Sequence, residues 1–183
     1  MQLLTQRLLL RDFQTLDCQD VHEYNTDPEV FRHMPSDPGT IEDTYALVQW
    51  CIEQAHVAPR LIYDLAVELT VEQKVIGWCR FAWREDELRQ GEIAYLLNRH
   101  YWGQGLATEV AQELLRFGFQ TLHAHRIFAT ARPANRPSWR VLEKVGMQRE
   151  GHLRQHRWMK EAWHDSYLYA MLEHEWSGNR ADS

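Results

Sequence analysis

The chain has 183 residues, 44% of them hydrophobic and 25% charged, the proportions of an ordinary globular domain with a sizeable core. It carries 20 basic against 26 acidic residues, a formal net charge of -6, which argues against a nucleic-acid partner and fits a cationic acceptor such as an amine. No run of about 18 apolar residues is present to cross a membrane, the start Met1-Gln2-Leu3-Leu4-Thr5-Gln6-Arg7 lacks a signal-peptide pattern, and three widely spaced cysteines, Cys18, Cys51 and Cys79, point to reduced thiols in a cytoplasmic protein.

In chain order, Leu8-Leu9-Leu10-Arg11 reads as a first strand. Residues 17–25 form a short helix that ends near Asp27-Pro28. The run Pro35-Ser36-Asp37-Pro38-Gly39 is a loop by composition. Thr40 is an N-cap with Asp43 in the capping-box position, and Ile41, Tyr45, Val48, Ile52 and Ala55 repeat at helical spacing, so residues 41–56 form an amphipathic helix. Residues 61–68, 75–82 and 92–97 are strands, and the polar run 84–90 is the hairpin loop between the last two. A helix over 104–122 and a strand over 126–132 follow, and strand, helix, strand in that order implies two parallel strands. Asn135 and Pro137 open a short helix that Gly146 closes as a C-cap. Residues 152–159 and 165–172 form a closing antiparallel hairpin with its turn at 160–164. The total is about seven strands and about four helices around a mixed sheet, one domain over residues 1–183, with 177–183 a flexible tail.

The stretch from Gly91 to Thr108 carries the clearest chemistry. A short apolar strand runs into Trp102-Gly103-Gln104-Gly105, and a long helix starts directly after it. Glycine permits a tight turn and close approach of a ligand to the backbone. Free N–H groups at a helix start make a seat for an anion, so the local chemistry points to a bound phosphate or pyrophosphate. No Gly-Lys-[Ser/Thr] follows, which excludes a P-loop. The third glycine and later acid of a dinucleotide fingerprint are missing too. His123 with His125 and His152 with His156 have no Cys or acidic neighbours in a metal pattern, so no metal site is expected.

Several segments in order resemble the GNAT acetyltransferases, in the branch that contains the ribosomal-protein N-terminal acetyltransferases. These are Thr5-Gln6-Arg7-Leu8-Leu9-Leu10-Arg11, Val75-Ile76-Gly77, Glu92-Ile93-Ala94-Tyr95-Leu96-Leu97, and Tyr101-Trp102-Gly103-Gln104-Gly105-Leu106-Ala107-Thr108. Asn135 and Ser138, then Leu142-Glu143-Lys144-Val145-Gly146-Met147, resemble the branch's later helix, and Trp163, Asp165 and Tyr169-Ala170-Met171-Leu172 its closing hairpin. Three departures stand out, one of them Arg157, with His156 beside it, near the place on the strand after the Ser138 helix where some members of the branch have a Glu. His100 holds the place where the family often has Arg or Gln, and Met147 replaces a usual Phe.

The resemblance implies the α+β GNAT acyl-CoA N-acyltransferase fold, with a mixed, mostly antiparallel sheet. It implies transfer of an acetyl group from acetyl-CoA to a primary amine, by direct attack in a ternary complex. The acceptor is a protein N-terminus or a small amine such as a polyamine, amino acid or aminoglycoside. Leu96, Leu97 and Asn98 would contact the pantetheine arm. Gly103, Gln104, Gly105, Leu106, Ala107 and Thr108 would hold the pyrophosphate. Asn135 would touch the pantetheine, and Ser138 would sit near the sulfur as general acid. Helix capping accounts for Asn135 equally well, and for Ser138 less well. The amine must lose a proton to attack, because its pKa is about 8 for an α-amine and about 10.4 for a lysine. Glu92, His156 and a water chain are the alternatives for that base. Tyr95 reads as core. Trp50, Trp78, Trp83, Trp158 and Trp163 are core packing, an acceptor cleft or a dimer face. The resemblance also points toward a homodimer. A non-catalytic acyl-CoA sensor or interaction module is the alternative function.

Overall fold

In the computed structural model, which describes residues 1–85, 87 and 89–176, the first half of the chain builds an antiparallel meander. Strands β1 (Gln2–Leu4), β2 (Leu8–Arg11), β3 (Ile62–Leu69), β4 (Lys74–Glu85) and β5 (Gln90–Leu97) lie side by side, each antiparallel to the next. Helices α1 (Cys18–Asn25), α2 (Pro28–Phe31) and α3 (Ile41–Ala55) are inserted between β2 and β3. The second half crosses over through α4 (Leu106–Arg116) to β6 (Arg126–Ala131), which lies parallel to β5. After α5 (Arg136–Lys144), strands β7 (Gln148–Met159) and β8 (Ala162–Leu172) form a hairpin, with β8 inside against β6 and β7 at the edge. The result is the expected α+β architecture, with eight strands and five α-helices among the described residues.

Several local readings hold closely. The Thr40 hydroxyl accepts the Asp43 amide at 3.2 Å, and the Asp43 carboxylate accepts the Thr40 amide at 2.8 Å, so α3 begins on a true capping box. Others shift. Asp27-Pro28 ends the first helix but also starts α2, because Asp27 caps it by accepting the Glu29 amide at 3.0 Å and Pro28 suits a first turn. The helix after the glycine turn stops being α-helical at Arg116 and widens into a π turn, Phe117–Thr121, in which Leu122 N–H reaches back five residues to the Phe117 carbonyl at 3.1 Å. The closing hairpin is longer than its periodicity indicates. Its turn shrinks to Lys160 and Glu161, both at positive φ (48° and 59°), the geometry of a tight two-residue hairpin. Part of the expected 84–90 loop and the whole 177–183 tail lie outside the described residues.

Strand alternation gives the sheet two unlike faces. Ile93 and Leu97 of β5, with Ile127, Ala129 and Ala131 of β6, pack with Val110, Ala111, Leu114 and Leu142 of α4 and α5 in the main core. On the other face Ala66, Val75, Trp78 and Leu96 pack with Val21, Val48 and Cys51 of α1 and α3. One buried ion network joins elements from the first half. Arg11 grips Asp17 with two parallel bonds of 2.8 Å and reaches Glu68 at 2.7 Å, tying β2 to the start of α1 and to β3.

Candidate active site

The two strands that flank the crossover part almost at once. β5 and β6 share three register pairs, ending at Glu92 with Phe128. Beyond that point β5 runs on to Leu97 and β6 to Ala131 with no pairing between them. The centre of the sheet therefore contains a wedge-shaped gap whose two walls are strand edges. Such an edge can hydrogen-bond a ligand that carries amides of its own. Tyr95 crosses this gap, and its hydroxyl donates to the Ser138 carbonyl at 3.0 Å. Burial pushes its phenol well above the ordinary range, against a smaller opposing effect of that bond.

At the far end of β5 the chain turns into α4. Gly103 and Gly105 both hold positive φ, 77° and 80°. A Cβ at Gly103 would meet nothing within 4 Å, so the outside of the turn is open. Thr108 and Glu109 amides reach the Gly105 carbonyl at 3.1 and 3.2 Å. The amides of Gly103, Gln104, Gly105, Leu106 and Ala107 find no acceptor among the described residues. A row of unsatisfied donors at the positive end of a helix is suited to a phosphate group. Asn98 lies just before, 2% exposed, with its side chain already engaged. Its oxygen accepts the His100 amide at 3.1 Å and its amide donates to Glu23 at 3.0 Å. The Leu97 carbonyl accepts the Trp102 indole N–H at 2.8 Å. Asn98 and Leu97 thus fix the turn from within.

Across the gap, Asn135 caps α5 by accepting the Ser138 amide at 3.4 Å. The half-buried Ser138 hydroxyl has no hydrogen-bond partner among the described residues and is free to serve a ligand. The Tyr95 bond ties the Ser138 turn of α5 to β5 at the gap, and the open amides follow the far end of the same strand. No group of three or more His, Cys, Asp or Glu able to hold a metal occurs among the described residues.

Comparison with known proteins agrees with this geometry. Residues 7–148 match the family described as Acetyltransferase (GNAT) domain. The chain is 37% identical to the Uncharacterized N-acetyltransferase YnaD of Bacillus subtilis (strain 168), over 97% of this chain and 100% of that one. The chain belongs to the GNAT acetyltransferase family. A crystal structure of a GNAT-family acetyltransferase from Bacillus anthracis superposes with a TM-score of 0.87 at 36% identity, covering 96% of this chain and 100% of the other. The [Ribosomal protein uS5]-alanine N-acetyltransferase of Escherichia coli (strain K12) is 28% identical over 48% of this chain and 45% of its own length. This acetyltransferase is thus an acetyl-CoA-dependent acyltransferase by family, and nothing in these likenesses favours a non-catalytic sensor.

The face of the acetyltransferase sheet turned away from α4 and α5 is only half-buried along Glu92, Ala94, Phe128, Thr130, Arg132 and Leu168. It forms an open cleft beside the gap. Glu92 stands on it at the point where β5 and β6 separate, its carboxylate Oε2 held by Arg84 Nε at 2.6 Å. His156 is exposed on β7 and shares a hydrogen bond of 3.0 Å with Ser166, on the same face. Deeper in the cleft, Asp64 takes two bonds from Arg80, at 2.6 and 2.9 Å, and one from the Trp78 indole at 2.9 Å.

Sequence reasoning misses the brace behind the glycine turn. Glu109 on α4 accepts from Thr5 Oγ1 at 2.6 Å, from the Arg7 amide at 2.8 Å and from Arg7 Nε at 2.7 Å. Arg7 in turn donates to the Gln104 carbonyl at 3.0 Å. The signal is present in Thr5-Gln6-Arg7, but its partner lies about a hundred residues away in the chain. Tyr95, core by its sequence pattern, does pack against the main core, yet its hydroxyl also ties the two sides of the gap.

Proposed function

We propose that the protein transfers the acetyl group of acetyl-CoA to a primary amine by direct attack in a ternary complex. The observation that carries this reading is the β5–β6 gap, which opens beside a turn of unsatisfied amides and ends at a free serine hydroxyl. Acetyl-CoA supplies an activated acyl group on a thiol leaving group. Gly103, Gln104, Gly105, Leu106 and Ala107 bind its pyrophosphate through backbone amides and the field of α4, and Thr108 through its hydroxyl. Leu96, Leu97, Asn98 and Asn135 lie along the pantetheine arm, beside the unpaired edge of β5 that Tyr95 and Leu97 turn toward the gap. A backbone amide of the same edge donates to the acyl oxygen as charge gathers there.

The amine enters from the opposite, half-buried face. Glu92 receives its proton, through water, because it is a carboxylate on that face at the mouth of the gap. Ser138 gives a proton to the departing thiolate. The test is thiol release from acetyl-CoA against a panel of N-terminal peptides, polyamines, amino acids and aminoglycosides, with Ser138→Ala and Glu92→Gln beside the wild type. Turnover with at least one amine is expected. A fall of about 10²-fold or more in kcat for Ser138→Ala, with little change in the KM for acetyl-CoA, supports the acid role. Unchanged kcat in Ser138→Ala removes the serine from the mechanism. Loss of the rise in kcat with pH in Glu92→Gln supports the base, and an unaltered pH profile eliminates it.

A further inference from the structure

One cation on the open face has no carboxylate. Arg132 directly follows the last residue of β6 and, with strand alternation, falls on the face opposite the α4–α5 core, at the lip of the gap. Its Nη2 lies 2.7 Å from Nδ1 of His164, on β8. His164 Nε2 is 3.2 Å from the Met159 carbonyl, which can only accept. In the tautomer with its proton on Nε2 the ring donates to that carbonyl while Nδ1 accepts from the arginine. The histidine thus gives the guanidinium an acceptor but no anion. Arg132 makes no ion pair among the described residues.

The other arginines that are withdrawn from solvent are all matched. Arg11 meets Asp17 and Glu68, Arg60 meets Asp12, Arg80 meets Asp64, Arg116 meets Glu113 and Arg126 meets Glu150. A half-buried cation without a counter-ion is costly. In a substrate cleft, that cost is recovered when an anionic ligand docks.

A second group comes from the segment after α2. His33 Nδ1 is buried without a hydrogen-bond partner among the described residues. Burial, then the charges of Arg132 and Arg32, hold its pKa below the ordinary histidine value. The ring thus brings no anion to the arginine. The remaining charges nearby are already committed. Arg32 pairs with Glu29 at 2.5 Å, while Lys160 donates to the Phe31 carbonyl at 3.0 Å and faces Asp37 at 3.3 Å.

We propose that the acceptor amine carries a carboxylate a few bonds from its nitrogen, as a free amino acid does, and that Arg132 binds that carboxylate. This rests on the N-acetyltransferase reading above and names the substrate class of that site. An arginine fork suits a carboxylate, whereas a polyamine would set a second cation against it. The overall acidic charge points toward a cationic acceptor, but Arg132 adds an unmatched cation beside the cleft that suits an anionic group on the same molecule.

The test measures acetyl-CoA turnover on free amino acids, on the same amino acids as carboxamides, and on spermidine, for wild type, Arg132→Gln and Arg132→Lys. At least one amino acid is expected to exceed its own carboxamide by about tenfold in kcat/KM. Arg132→Gln is expected to raise the KM for that amino acid about tenfold and to erase the acid-over-amide preference, while the KM for acetyl-CoA stays the same. Arg132→Lys should restore part of the preference, because it returns the charge without the fork. The unchanged KM for acetyl-CoA shows that the variants are folded. Equal or better turnover of carboxamides or spermidine overturns the proposal and leaves the acetyltransferase standing. So does an acid-to-amide ratio that survives Arg132→Gln. No turnover of any of these amines overturns the proposal, and the peptide and aminoglycoside arms of the earlier panel then decide the acetyltransferase reading separately.

Discussion

The Tyr95 hydroxyl reaches a partner 43 residues away in the chain and fastens β5 to the first turn of α5. Tyr95→Phe keeps the ring and its packing but releases this tie. A cost of about 1 kcal/mol is expected, read as a lowered thermal midpoint. The catalytic effect should fall mainly on kcat, because the tie holds the backbone of Ser138, while the amides after Gly103 stay in place for acetyl-CoA. If kcat and the KM for acetyl-CoA both match the wild type, the hydroxyl serves packing alone. Asn135 as a helix cap and the two glycines of the turn are legible in the sequence because each acts through its own backbone neighbourhood. The roles of Tyr95, Arg132 and Glu109 are not, because they are set by partners that only the fold brings near.

At the scale of elements, the gap is held to shape by close packing of β4 on β5. A Cβ on Gly77 would lie 2.3 Å from the Leu96 carbonyl oxygen and 2.6 Å from a Leu97 methyl. Backbone cannot give way there without moving the wall of the gap. Gly77→Ala is expected to cost about 2 kcal/mol and to raise the KM for acetyl-CoA severalfold. Gly151→Ala is the matched control, since a Cβ there meets nothing within 4 Å. Chemical denaturation and acetyl-CoA saturation curves on the two variants check the contrast, and similar behaviour in both would refute it. The strands are legible from alternation and turn residues, and α3 from its capping box. β1 is not, because three residues whose ends are exposed carry too little pattern. The second short helix escapes because Asp27-Pro28 signals a stop and a start equally well.

For the molecule as a whole, the charge pattern sets an acid limit. Glu23 is held below the ordinary carboxylate range by its bond to Lys74, against the pull of burial. In Glu109, burial raises the pKa, but Thr5 and the Arg7 amide and side chain outweigh it and the net shift is downward. Asp12 follows the same pattern with Arg60. A carboxylate with a lowered folded pKa stabilises the protein above its unfolded value of about 4, and this stability is lost as the pH falls through the folded value. Unfolding by urea at pH 7, 5 and 3.5 should show the larger loss in the second step, the first step carrying the cost of His33, whose depressed pKa leaves the unfolded chain readier to take a proton. Equal stability at pH 5 and 3.5 would contradict it. The mixed sheet and the order of its segments are readable from sequence, since each motif sits on its own element. The wedge between β5 and β6 is not, because where two parallel strands stop pairing depends on what fills the space between them.

That wedge has a mechanical consequence. Within the sheet, the half from β1 to β5 and the half from β6 to β8 are joined by three pairs of residues, so the junction acts as a pivot rather than a seam. A ligand that lies along both free edges is a staple across the opening, and its arrival should quiet the breathing of the two halves. Amide hydrogen exchange is therefore expected to slow on addition of coenzyme A along residues 93–97 and 129–131, far more than in β2 or β3, whose edges are already paired. Uniform slowing over the whole sheet would mean that the halves move as one block.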